Sequence, residues 1–190
     1  MRAIPIRPWD VPSISNYCDL RLLISDLSVS YFLLPPFYFL LLTMSMRPAT
    51  PSVREANAND IDALASLMTE LGYPVSAATL AMRLRKMPPS HRTFIAELDG
   101  VVAGFVGCSA LEIYESDSPI GWIMALSVAK RFWRRGVGRA LLARVEQWCA
   151  ENGISDIRVH SGEHRTDAHA FYEACGFEHT GRRFRKVVRG

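Results

Sequence analysis

A strand that turns into a helix through a loop of arginine and glycine constrains the fold of this chain most. The turn lies in the sequence VAKRFWRRGVGR, residues 128–139. The first N–H groups of a helix have no intrahelical partners, and the helix dipole favours negative charge there. Gly136 and Gly138 would let a diphosphate approach the backbone closely. Three arginines would add positive charge to this loop: Arg134, Arg135 and Arg139.

The residues that follow the loop predict an amphipathic helix. Apolar side chains recur at helical spacing after Gly138, and Asn152-Gly153 predicts where the helix ends. Two other phosphate-binding motifs do not fit, because a P-loop needs Lys-Ser or Lys-Thr after its second glycine and a dinucleotide fingerprint needs a third glycine. Taken alone, a Gly-x-Gly pair is equally typical of a tight turn beside a solvated basic patch.

A second motif, RTDAHAFYEACGF at residues 165–177, makes the interpretation more specific. In this order, the two segments resemble the acyl-CoA loop and the Ala-x-x-Phe-Tyr-Glu-x-x-Gly-Phe helix of the GNAT superfamily of N-acetyltransferases. Residues 94–107 resemble the central hairpin of that family, and the likeness extends over residues 53–188. The resemblance implies a mixed α/β fold, with a mostly antiparallel sheet flanked by helices on both faces.

The order of predicted elements agrees with that fold. Asp99-Gly100 predicts a tight hairpin, Asn59 or Asp60 is expected to cap the first helix, and Ser76 is expected to cap the second. We predict strands at 52–56, 93–98, 101–111, 121–128 and 154–160, helices after residue 60, at 77–87, after the basic loop and at 166–174, and further strands in the tail.

Acyl transfer to an amine needs a proton acceptor, stabilisation of the carbonyl oxygen and a proton donor for the thiolate. The resemblance assigns the proton donor to Tyr172, whereas an arbitrary Phe-Tyr pair on a helix would belong to the core. It also implies that backbone N–H groups of residues 125–128 pair with the pantetheine arm. The implied cofactor-binding residues are Leu126, Ser127, Val128, Arg134, Arg135, Gly136, Val137, Gly138, Arg139 and Arg165.

The proton acceptor is less well defined by the sequence. Many relatives carry a glutamate on the strand where this chain has Met124, so Glu112, in an acidic loop with Glu115 and Asp117, is the alternative. That loop could act through water, attract a cationic acceptor, or simply be solvated.

Two further positions depart from the family pattern. Trp133 stands where Gln or Arg is common, and Arg165 stands where many relatives have asparagine. Arg165 could reach a phosphate, pair with Asp167, or lie on the surface.

Composition restricts the other function classes. The net charge is only +3, and the basic clusters come without a nucleic-acid-binding motif, so we expect no nucleic-acid partner. The four cysteines lack metal-ligand spacing, which favours a reducing cytoplasm and no metal site.

Residues 1–45 differ in character from the rest and are predicted to be a disordered or non-native extension of a domain at 52–188. Their apolar run is divided by Pro35-Pro36 and is too short to span a bilayer, so no membrane partner is expected. A membrane-associating arm, a partner-binding arm and a translation artefact with initiation at Met44 or Met46 are the three interpretations.

These observations lead to one expected function and one alternative. We expect transfer of an acetyl group from acetyl-CoA to a primary amine of a small molecule or peptide through a ternary complex, by an enzyme that could form a homodimer. The alternative is an acyl-CoA-binding module that has lost turnover, which Met124 and Trp133 would favour.

Overall fold

The computed structural model describes residues 49–188, so the predicted extension at 1–45 lies outside the described residues. The described part is a mixed α/β domain. Its strands and α-helices are, in chain order, β1 (Ser52–Glu55), α1 (Ile61–Glu70), α2 (Ala77–Leu84), β2 (His91–Leu98), β3 (Val101–Leu111), β4 (Ile120–Val128), α3 (Val137–Glu151), β5 (Ile157–Val159) and α4 (Thr166–Glu173).

The five strands form one sheet in the order β1-β2-β3-β4-β5. The first three pairings are antiparallel, and β5 runs parallel to β4. The Asp99-Gly100 turn joins β2 to β3 with φ values of 56° and 74°, the geometry of a type I′ turn. The predicted hairpin and the mostly antiparallel sheet are therefore confirmed.

Helices cover both faces of this sheet. On one face, the buried Ser127 hydroxyl of β4 donates to Leu67 O of α1 at 3.0 Å. On the other face, the Arg144 guanidinium of α3 lies 4.4 Å from the centre of the Phe94 ring of β2. The apolar residues buried between these layers form one core.

Several predicted boundaries differ from the structure. Asp60 stands at the N-cap position of α1, as one of the two predicted residues, but its side chain makes no cap bond to α1. The side-chain cap is Asn57, whose oxygen accepts from Asn59 N–H at 2.9 Å at the start of a short 3-10 turn before α1. Asp60 completes this cap by accepting from Asn57 N–H at 2.7 Å. The predicted cap at Ser76 is confirmed by its bond from Thr79 N–H. Strand β5 is shorter than the predicted 154–160, and α2 ends at Leu84.

The prediction of strands in the tail is wrong for the described residues. Residues 178–188 form no strand or helix, and Phe184 and Val188 are 90% and 83% exposed. Alternating apolar and basic residues suit a strand only where a neighbouring element covers the apolar side chains. Within residues 49–188, no helix combines the length and apolar character needed to cross a membrane.

We predict that residues 1–45 are dispensable for folding and catalysis, because residues 49–188 form a five-stranded sheet with a core of their own. A protein that begins at Met46 should melt cooperatively and bind acetyl-CoA with the affinity of the full chain. Calorimetry and a CoA titration on both proteins check this. Aggregation of the shorter protein, while the full chain stays monomeric, would show that the extension covers an apolar surface.

Candidate active site

One edge of β4 is left open where β5 leaves it. Strand β5 pairs with β4 only over Gly121–Ile123, so residues 124–128 have a strand neighbour on the β3 side alone within the described part. We call residues 124–128 the open edge. The register between β3 and β4 shifts at the first residue of the open edge. Gly107 pairs with Ala125 and Cys108 with Ile123, which leaves Met124 as an extra residue. Such a bulge bends a strand and separates it from its neighbours.

Backbone alternation identifies the groups that point outward from the open edge. Ala129 N–H donates to Ala103 O of β3 at 2.9 Å. Since backbone groups of successive residues point to opposite sides of an extended strand, Ser127 N–H also points to β3, and those of Leu126 and Val128 point outward. Leu126 and Val128 thus present the donors that the predicted pairing needs. Ser127 presents no donor to the open edge, because its N–H points to β3 and its hydroxyl donates to Leu67 O of α1.

The basic loop, residues 129–136, leads from the open edge to the start of α3. Gly136 is the N-cap of α3 with φ of 80°, and no side chain caps the first turn. A Cβ placed on Gly136 would meet nothing within 4 Å, so the backbone there is accessible. The uncapped N–H groups, including those of Val137 and Gly138, are therefore available to a ligand, as the predicted anion site would require.

Gly138 has a packing function in addition to the predicted one. A Cβ at Gly138 would stand 2.9 Å from Cζ of Phe171, a residue of α4. Gly138 therefore lets α3 and α4 pack closely, whereas the left-handed conformation of Gly136 turns the loop into the helix. This contact also places α4 beside the first turn of α3.

The three predicted arginines are not equivalent. Arg135 forms an ion pair with Asp99 of the hairpin at 2.9 Å, and Arg139 donates to Ala174 O after α4 at 3.2 Å. Arg134 is exposed, with φ of 60°, and its side chain has no hydrogen-bond partner within residues 49–188. Arg134 is consequently the arginine best placed to add charge for a bound phosphate.

Trp133 acts on the open edge directly. Its indole Nε1–H donates to Val128 O at 2.8 Å, although the side chain is 52% exposed. The residue that replaces the usual Gln or Arg thus engages the backbone carbonyl next to the basic loop.

Tyr172 of α4 lies against two other aromatic rings, one on the same helix and one just after it. Its ring centre is 5.5 Å from that of Phe171 and 5.4 Å from that of Phe177. Burial raises the pKa of the Tyr172 phenol, and the positive charge of Arg165 opposes this effect. The hydroxyl makes no hydrogen bond to another described residue, so a packed ring and a proton-donating hydroxyl are compatible here.

Glu112 is not brought to the open edge. It is exposed and follows Leu111, which pairs with Ile120 at the first residue of β4. Met124 is four residues further along β4, or about 13 Å at the usual strand rise. This position suits attraction of a cationic acceptor better than direct proton transfer at the open edge.

A histidine that the sequence did not indicate lies on the sheet face that carries Ser127. Ser127 and Ala125 share one sheet face, Ala125 pairs with Gly107, and Gly107 pairs with Thr93. On the same face His91 Nε2 lies 3.0 Å from Thr93 Oγ1. A Cβ on Gly107 would stand 3.4 Å from the His91 ring, and burial lowers the pKa of His91. No sequence pattern indicated this residue, because the strand was predicted to begin at residue 93.

An aromatic pair stands where β5 leaves β4. Trp122 pairs with Arg158 of β5, and His160 directly follows that strand. The two rings meet edge to face, with centres 4.5 Å apart. Trp122 is also the strand-pairing partner of Ser109, and Ser109 is that of His91. The two aromatic rings therefore continue the row of side chains on the sheet face that α1 covers.

A family comparison now decides the classification. The model of the acetyltransferase (GNAT) family matches residues 61–177, which include the open edge, the basic loop and α4. The chain belongs to the GNAT family. It is an N-acetyltransferase, as the resemblance of its two motifs implied.

The curated relatives of this GNAT enzyme include proteins named for different activities. The aminoglycoside N(6')-acetyltransferase type 1 of Stenotrophomonas maltophilia is 31% identical over 142 residues, which cover 72% of this chain and 92% of the relative. The enzyme of the same name from Salmonella typhimurium is 29% identical over 136 residues, covering 68% and 93%. The human N-acetylaspartate synthetase is 31% identical over 94 residues, but these cover 50% of this chain and 30% of the synthetase.

Solved structures agree with the fold of the GNAT enzyme. The aminoglycoside N-acetyltransferase AAC(6')-Iy in complex with CoA has a TM-score of 0.66 and 25% identity, covering 76% of this chain and 99% of that one. The same enzyme with a bisubstrate analogue, CoA-S-monomethyl-acetylneamine, has a TM-score of 0.63 and 26% identity, covering 74% and 99%.

Proposed function

We propose that this GNAT enzyme transfers the acetyl group of acetyl-CoA to a primary amine of a small molecule within a ternary complex. The observation that carries the proposal is the continuity of the open edge with the uncapped start of α3, beside which α4 places Tyr172. The extended pantetheine arm of acetyl-CoA fits the open edge, and the diphosphate joined to that arm fits the start of α3. Acetyl-CoA, the co-substrate, supplies the acetyl group as a thioester.

The residues of the site divide the chemistry between them. The N–H groups of Leu126 and Val128 hold the arm as an added strand would be held and are positioned to stabilise negative charge on the carbonyl oxygen. The first turn of α3, with Arg134, binds the diphosphate. As the amine nitrogen bonds to the acetyl carbon and the carbon–sulfur bond breaks, Tyr172 donates its hydroxyl proton to the departing sulfur.

The amine must lose a proton before or during attack, and two residues are candidates to accept it. Glu112 remains the candidate that the sequence indicates, acting through water. His91 is the second candidate, because its lowered pKa keeps the imidazole neutral at neutral pH and able to accept a proton. We assign the carboxylates of Glu112, Glu115 and Asp117 to attraction of a cationic acceptor, and no function to the Tyr114 hydroxyl between them.

The acceptor class is proposed from the relatives. The curated and structural relatives named for aminoglycosides match most of this chain, which favours a polycationic, sugar-like amine over a peptide. The exposed acidic loop beside the sheet end fits such a cation. A peptide amine is the second choice, and the alternative of a binding module rests on Met124 and on the Trp133 bond to Val128 O.

An amine panel separates these functions. Acetyl-CoA is incubated with the enzyme and with aminoglycosides, polyamines, amino acids or peptides, while thiol release and product mass are followed. We expect one class to release CoA well above the hydrolysis rate and to gain one acetyl group. CoA binding without thiol release for any amine would favour the binding module instead.

We also propose a cytoplasmic location and leave homodimer formation as a prediction. Cys108, Cys149 and Cys175 carry free thiols, as expected where proteins are kept reduced. Cell fractionation and analytical ultracentrifugation check the two statements, and recovery of the enzyme from an oxidising compartment would contradict the first.

A further inference from the structure

Arg165 connects two distant parts of the domain. It is the N-cap residue of α4, and its guanidinium donates to Leu71 O at 2.7 Å. The same guanidinium lies 5.7 Å from the centre of the Tyr73 ring, within the range of a cation–π contact. Leu71 and Tyr73 belong to the turn between α1 and α2, so the Arg165 side chain fixes that turn to the beginning of α4.

These two parts flank the open edge. The C-terminal part of α1 lies on β4, because Ser127 Oγ donates to Leu67 O at 3.0 Å. Helix α4 lies beside the start of α3, because Phe171 occupies the space that Gly138 leaves. An arm bound along the open edge would therefore pass between the two parts that Arg165 joins.

Arg165 also lies on the Tyr172 side of α4. The two residues are seven positions apart, which is about two helical turns, so they share one face of the helix. The charge of Arg165 lowers the pKa of the Tyr172 phenol, against the effects of burial and of the Cys175 thiol. From α3, Arg139 donates to Ala174 O and so places its charge at the other end of α4.

We infer that Arg165 is a positioning residue for acetyl transfer. It fixes the α1–α2 turn to the beginning of α4, on either side of the open edge, and supplies positive charge to Tyr172. The inference rests on the proposed function of Tyr172 as proton donor. Once Tyr172 has given its proton to the sulfur, a nearby cation stabilises the phenolate that remains.

Two substitutions test the charge. Arg165→Gln removes the charge and, because its side chain is two atoms shorter, also the bond to Leu71 O, whereas Arg165→Lys keeps the charge. We expect Arg165→Gln to lower kcat by about tenfold, less than the loss of the proton donor itself. In the plot of kcat against pH for Arg165→Gln, the alkaline limb should move to higher pH, because loss of a positive charge makes the Tyr172 proton harder to remove. Arg165→Lys should keep the limb near its normal position.

A titration that needs no turnover tests the inference independently of the proposed function. Tyrosine labelled with ¹³C at Cζ is followed by NMR, and the Tyr172 signal is assigned as the one missing from Tyr172→Phe. At each alkaline pH, Arg165→Gln should show a smaller ionised fraction of Tyr172 than the unmodified protein or Arg165→Lys.

Equal ionised fractions of Tyr172 in all three proteins would overturn the inference, even if the enzyme is active. A higher fraction in Arg165→Gln would overturn it as well. If Arg165→Gln does not fold, Arg165→Met with folding checked by circular dichroism replaces it.

Discussion

Replacing Tyr172 by phenylalanine is expected to lower kcat by about 100-fold or more while leaving the Kd for CoA nearly unchanged. Only the hydroxyl is lost, and the ring keeps its contacts with Phe171 and Phe177. A group that acts on the departing sulfur contributes to the transition state rather than to ground-state binding, so kcat and kcat/KM should fall together. Steady-state kinetics, a single-turnover experiment and a CoA titration by calorimetry measure the three quantities.

A second tyrosine gives the matched control. Tyr114 lies fully exposed on the loop between β3 and β4, so Tyr114→Phe removes a hydroxyl without a packing change. Its kcat should stay close to that of the unmodified enzyme. If Tyr172→Phe keeps full turnover in a single-turnover experiment, where chemistry is observed directly, Tyr172 is a core residue and another proton donor must be sought.

Gly136→Val is expected to abolish most of the thermal stabilisation that acetyl-CoA provides. Gly136 has φ of 80°, where a β-branched residue is strained by about 1–2 kcal/mol, and the added side chain would cover the first N–H groups of α3. A ligand at 100 times its Kd stabilises a protein by about 2.7 kcal/mol, so loss of binding should be plain in a melting curve. Differential scanning calorimetry with and without millimolar acetyl-CoA makes the comparison.

Gly138 provides the contrast for this experiment. Its added Cβ would meet Phe171 rather than solvent, so Gly138→Ala should lower the melting temperature of the free protein. Phe171→Leu in the same chain should restore part of that loss. Gly136→Val should not be rescued in this way, since nothing lies within 4 Å of its Cβ. An unchanged response of Gly136→Val to acetyl-CoA would place the diphosphate elsewhere.

Local signals made much of the fold predictable. Asp99-Gly100 requires positive φ at two successive residues, and the structure has them there. The caps at Ser76 and the stop at Asn152-Gly153 also depend on short-range chemistry alone. The tail was mispredicted because its apolar side chains would form a strand only with a covering neighbour, and that neighbour is not a property of the tail sequence.

The details of the site depend on contacts between distant residues. The packing of Phe171 against Gly138 could not be predicted, because nothing in the loop sequence reveals it. Ser127 was grouped with Leu126 and Val128, but the pairing register turns its N–H towards β3. His91 became a candidate only when strand pairing brought it to the face that carries Ser127. The sequence could therefore indicate the loop and the helix of the site, but not its residue-by-residue geometry.

A titration of the ¹⁵N-labelled protein with CoA, followed by amide NMR, tests the central claim most directly. We predict that CoA causes the largest amide chemical-shift changes at Leu126 and Val128 on the open edge. Equally large changes are expected in the first turn of α3, at Val137, Gly138 and Arg139. The same signals should stay in place in Gly136→Val at equal CoA concentration. Shifts confined to the surface groove lined by Ser66, Glu70 and Arg131, with none at the open edge, would contradict the account.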